Sequence, residues 1–135
     1  MKRLLGILFL MGGLVISAQA QKINGAKVPA SVKTAFQKAH PAVKVKWEME
    51  QANYEAGFTL NGKETSEVYA PSGMLLETES AIKSSELPAT VLAKLKGMKI
   101  AKAAKITKAN GTIQYEAEVK GKDLLFDANG NTVKN

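Results

Sequence analysis

Two glutamates, Glu55 and Glu116, each directly follow a tyrosine and precede an alanine. Paired carboxylates are the groups from which general acid–base chemistry is built. Both occupy the same place in a recurring motif, "YEAGF" from Tyr54 and "YEAEV" from Tyr115. What a chain keeps in both copies of a motif is most simply what its fold needs twice, so the two are read as outward-facing strand residues. The single histidine, His40, stands before Pro41. A histidine relay needs a Ser or Cys and an orienting acid, and no GxSxG elbow occurs. His40 is therefore read as a surface residue or helix-end donor. The absence of cysteine removes thiol catalysis, thiolate zinc sites and iron–sulfur clusters. The "DANGN" stretch, Asp127 to Asn131, lacks the twelfth-position ligand of a calcium loop and reads as a hairpin turn. No catalytic, cofactor-binding or metal-ligating residue is assigned, and the expectation is that the protein is not an enzyme.

The elements that must position these residues come in two copies. "VPASVKTAF" from Val28 matches "LPATVLAKL" from Leu87 at an offset of 59; the two tyrosine motifs are offset by 61; "VYAPSGM" from Val68 matches "LFDANGN" from Leu125 at 57. Three blocks in one order read as an internal duplication. Val28, Val32, Ala35, Phe36 and Ala39 form one helical stripe, and Leu87, Val91, Leu92 and Leu95 another. Pro29 and Pro88 suit a first helical turn. Pro41 stops the first helix and Gly97 the second.

Beyond each helix the period changes to two. "VKVKWEMEQ" alternates Val43, Val45, Trp47 and Met49 with charged residues, the pattern of a strand buried on one face. "NYEAGFTL", a turn at Asn61-Gly62, Glu64 to Ala70, and "MLLETES" supply three more strands. The second copy offers "KIAKAAKITK", with Ile106 in the place of Trp47, then "TIQYEAEVK", a turn at Gly121-Lys122, "DLLFD" and a short "NTVKN". Alternation predicts helices over Val45, Trp47, Tyr54, Phe58, Ile106, Tyr115 and Val119. The opposite face then carries Lys46, Glu48, Glu55, Lys105, Glu116 and Glu118, a broad mixed-charge surface for a partner.

The first residues have the plan of a secretory signal: Lys2 and Arg3, an apolar run from Leu4 to Ile16, and small residues at Ala18 and Ala20. Cleavage is expected before Gln21. Thirteen apolar residues fall short of the ~20 that span a bilayer, so no membrane insertion is expected after cleavage. Without Lys2 and Arg3 the formal charge falls from +7 to +5, and no arginine remains. Six lysines (Lys94, Lys96, Lys99, Lys102, Lys105, Lys108) fall between Glu86 and Glu116 with no acid among them. Lacking the bidentate reader of phosphate and guanine, the stripe reads as a solvated face, and nucleic acid is not an expected partner.

Taken with the proline-led helix, the "VKWE" strand, the tyrosine motif and the glycine turn, the chain resembles the PepSY-like, beta-lactamase-inhibitor-like domains of bacterial envelopes. The resemblance runs from about Val28 to the end. It implies an α+β fold: two tandem repeats, each one helix followed by a four-stranded antiparallel sheet, packed as one unit like beta-lactamase inhibitor protein. Residues 1–20 are then the signal peptide, 21–82 the first repeat and 83–135 the second. The expected function is a non-enzymatic binding module, periplasmic or secreted, that engages another envelope protein through its sheet face and inhibits or regulates an enzyme there. A carrier of a small apolar or peptide ligand is the alternative.

Overall fold

Both proline-led segments turn into helix in the computed structural model, which describes residues 20–134. The expected signal peptide lies outside the described residues except for Ala20. Helix α1 spans Ala30–Ala39 and α2 spans Ala89–Lys94. Each proline is the last residue before its helix. The Pro29 carbonyl accepts from the N–H groups of Val32 and Lys33, and that of Pro88 from Val91 and Leu92. A 3-10 turn leads into each, Gly25–Lys27 and Ser84–Glu86. The Asn24 side chain holds the first through the Ala26 N–H at 2.9 Å, and Glu86 holds the second through the Lys83 N–H at 2.9 Å. His40 ends α1, its N–H bonded to Phe36 O. Gly97, at φ +82°, takes the left-handed conformation that ends the turn after α2.

Eight strands accompany the helices: β1 Ala20–Ile23, β2 Lys46–Glu50, β3 Asn53–Leu60, β4 Lys63–Tyr69, β5 Leu75–Ile82, β6 Ile100–Lys108, β7 Ile113–Val119 and β8 Lys122–Asp127. Asn61 and Gly62 both have positive φ, as a type I′ hairpin requires, and close β3 on β4. The matching turn between β7 and β8 is Lys120-Gly121, one residue earlier than the sequence predicts.

The expected pair of helix-plus-four-strand repeats is overturned. The strands form a single eight-stranded antiparallel sheet in chain order, β1 to β8, with only two short helices among the described residues. Two separate sheets would leave extra edges of unpaired N–H and C=O groups, which continuous pairing removes. The strand count also arises differently. β1 pairs along β2 from Ala20↔Glu50 to Ile23↔Trp47 and precedes α1, where no strand is expected. "NTVKN", too short to form a ladder, gives only the bridge Phe126↔Thr132.

Backbone contacts divide the chain into two compact units, up to Thr78 and from Glu79, the division falling within β5. In the first, α1 lays Val32 and Phe36 against Trp47, Ala56, Phe58 and Tyr69. In the second, Leu87, Val91 and Leu95 meet Ala103, Ala117, Val119 and Phe126. A loop pins each helix start. Ser31 Oγ donates to Pro71 O at 2.7 Å, and Thr90 Oγ1 to Ala128 O at 2.9 Å. Gly73 and Gly130 permit the approach: a Cβ on either would stand 2.7 Å from the carbonyl oxygen of Ser31 or Thr90.

Candidate functional site

Cross-strand partners share a sheet face, so the registers sort the charged residues. In the first unit Trp47 faces Ala56, Ala56 faces Glu67, and Tyr54 faces Tyr69; these lie on the α1 side. The opposite face carries Lys46, Glu48, Glu50, Glu55, Glu64, Ser66 and Val68, with Lys22 beside Glu48. Lys22, Lys46 and Glu64 are exposed there and Glu48 is half-buried. Glu55, directly opposite both Glu48 and Val68, is only 3% exposed. The expected outward-facing strand residue is thus a buried acid. Burial pushes its carboxyl up to about 10, reinforced by the charge of Glu50, a hydrogen bond to Glu50, and the charges of Glu48 and Glu77. Glu55 therefore holds its proton well above the usual carboxylate range.

In the second unit Ala103 faces Ala117, Ala117 faces Leu124, and Tyr115 faces Phe126, all toward α2. Glu116 and Glu118 are on the other face, opposite Ala104 and Lys102. Lys105 is not with them. It stands opposite Tyr115, on the helix side. Ile106, expected beneath a helix, stands opposite Gln114 on the face of Glu116 and is fully buried there. The cause is a register shift between Ile100 and Lys102, where Ala101 has no partner. One extra residue exchanges the two faces of the strand beyond it. The structure therefore brings Lys46, Glu48 and Glu55 onto one face of the first unit and Glu116 and Glu118 onto one face of the second. Glu116, like Glu55, is 3% exposed.

A polar cluster that sequence reasoning missed lies on the α1 side. Glu67 Oε1 is 2.9 Å from His40 Nε2 and accepts from the Tyr69 hydroxyl at 2.8 Å. The His40 ring is lodged between Phe58 and Phe36, with centroids 4.6 and 5.1 Å away. Burial, then the bond to Glu67 and its charge, push the Tyr69 hydroxyl above its usual range, so it stays protonated and is a poor nucleophile. The trio can orient and rigidify. A signal existed: Glu67 alternates with Thr65 and Tyr69 in "KETSEVY", which puts an acid on an apolar face within reach of the one histidine. In the other unit, Asp127 accepts from the N–H groups of Asn129 and Asn131 at 2.9 Å and from the Asn131 amide at 3.2 Å. These bonds shape a turn, as expected of "DANGN".

No family model and no curated protein matches the chain. Its fold is similar to that of a protein from Bacteroides eggerthii assigned to the periplasm, with a TM-score of 0.71 and 21% identity, covering 79% of this chain and 86% of that one. A DUF2874 family protein from Bacteroides uniformis matches with a TM-score of 0.69 and 19% identity, over 78% of this chain and 86% of the other. A BLIP-like protein from Bacteroides fragilis gives a TM-score of 0.63 and 21% identity, over 78% and 84%. The fold is thus of the BLIP-like kind.

Proposed function

We propose that the protein is a non-enzymatic binding module of the bacterial envelope that engages another protein through the sheet face opposite α1. The observation that carries this reading is the make-up of that face in the first unit. The exposed Lys22, Lys46 and Glu64 and the half-buried Glu48 share that face with the buried Glu55, Ser66 and Val68. Mixed charge on a face gives an interface its specificity and association rate more than its raw affinity. Within that face Glu55 is a buried support, while Lys46 and Glu48 meet the partner.

The likeness to BLIP-like and periplasm-assigned proteins supports an envelope location and inhibition or regulation of an enzyme as the form of binding. Membership of the PepSY-like group rests on the sequence motifs. The test is capture of envelope proteins by the mature chain and by a Lys46→Glu, Glu48→Lys exchange. Loss of a captured partner at unchanged melting temperature supports the face. Capture that survives the exchange overturns it.

A further inference from the structure

We infer that the α2 side of the second unit docks on an anionic lipid surface. The registers separate charge in this unit. Glu116 faces Ala104 and Leu125, Glu118 faces Asp123, and Asp127 faces Gln114, so all four strand acids share the face turned from α2. No acid of β6, β7 or β8 remains on the α2 side. Lys105, opposite Tyr115, and Lys122, opposite Val119, are on it. Lys94 in the last turn of α2, and Lys96 and Lys99 just beyond, add three more exposed lysines. Between the last two, Met98 holds its side chain 50% exposed on a turn shaped by Gly97.

Lysine without arginine is the composition of an electrostatic contact with a charged plane. Ammonium groups are strongly hydrated point charges with no planar fork for reading phosphates one by one. Near an anionic leaflet each adds attraction without needing a fixed geometry. An apolar side chain raised among them can sink to the boundary between head groups and acyl chains, and Met98 is so placed. The sequence hides this arrangement, because its alternation sets Lys105 beside Glu116 and Glu118, and only the register shift at Ala101 moves it away.

The test is flotation of the mature chain with phosphatidylcholine vesicles, with and without phosphatidylglycerol. Binding is expected only to the anionic vesicles, and to fall as salt screens the charges. Each of Lys94→Gln, Lys96→Gln and Lys99→Gln should weaken it about fivefold and the triple variant about a hundredfold. Met98→Ser should weaken the part that persists in high salt. Lys44→Gln, an exposed lysine of the first unit ahead of β2, should change nothing. No binding to the anionic vesicles, or equal binding by the triple variant, overturns the inference. So does tighter, equally lysine-dependent binding to duplex DNA or to an acidic protein, which would give the surface a different occupant.

Discussion

Where the first unit sets Glu67 and Tyr69 against its helix, the second sets Leu124 and Phe126, 57 residues further on. Where α1 ends in His40, the corresponding residue after the shorter α2 is Lys99, exposed to solvent. The histidine and its acid differ together between the units. That is the expected pattern for a buried polar pair, because either member alone leaves a stranded polar group, while removing both can be neutral. The rings differ in parallel. Phe36 meets Trp47 and Phe58 edge-on, with centroids 5.6 and 5.1 Å away, and Leu95 stands in its place in the second core. The second unit thus achieves helix-on-sheet packing with Leu95, Leu124 and Phe126 in the places of Phe36, Glu67 and Tyr69. The trio gives the first unit a fixed geometry rather than its fold.

Making the first unit resemble the second in one step is expected to have the largest effect. Glu67→Leu leaves His40 Nε2 and the Tyr69 hydroxyl without their shared acceptor, at a cost of about 2–4 kcal/mol for two buried groups. Adding Tyr69→Phe, the residue the second unit uses, should restore roughly half of that loss. Urea unfolding of both variants measures the two values. A single variant as stable as the parent would show that the trio is uncoupled.

The buried acids offer a second, smaller contrast. Glu55 has its folded value raised above the ordinary 4.5, so the folded state keeps a proton that the unfolded chain releases. The stability linked to it is complete below pH 4.5 and declines as pH rises toward about 10. Glu55→Gln should leave the melting temperature unchanged near pH 4 and raise it by about 5 °C at pH 8. Glu116, facing Ala104 and Leu125 instead of a second acid, is the comparison. A flatter response from Glu116→Gln would assign the slope to the acids around Glu55, and an equal response would assign it to burial alone.

Much of this was legible in the chain, and the gaps have physical causes. The stripe through Val32 and Phe36, the Asn61-Gly62 turn and the Trp47 strand are local patterns, fixed by residues near one another. Lys105 and Ile106 were misplaced because period-two reasoning cannot see one extra residue at Ala101. The single sheet was missed because pairing between distant strands depends on edges that no short window contains. Glu55 reads as a surface charge in sequence. Only its register, opposite Glu48 and Val68, reveals an acid surrounded by acids and apolar neighbours.

The smallest expected effect lies in the loops that pin the two helices. In the second unit Asp127 draws the loop together, accepting from Asn129 and Asn131. The corresponding residue of the first unit is Ala70, and there Ser72 Oγ accepts from the Met74 N–H at 3.4 Å. The main-chain bonds are shared: Ala70 N–H to Met74 O and Asp127 N–H to Asn131 O, each 2.9 Å. Both loops also keep their glycine against the helix carbonyl. Asp127→Ala therefore removes side-chain bonds from a loop whose backbone frame the first unit forms without them. Water can satisfy the freed N–H groups, so a fall in melting temperature of only about 2 °C is expected at pH 7. The sign of its pH dependence is opposite to that of Glu55. The Asn131 N–H, above all, holds the Asp127 carboxyl below its ordinary 3.8, so its contribution is present above that pH and lost as pH falls through the lowered value. The gap between parent and variant should narrow as pH falls below 3.8. A gap that does not narrow would mean that the alanine disturbs the backbone turn itself, and that Ala70 is tolerated only because of its own surroundings.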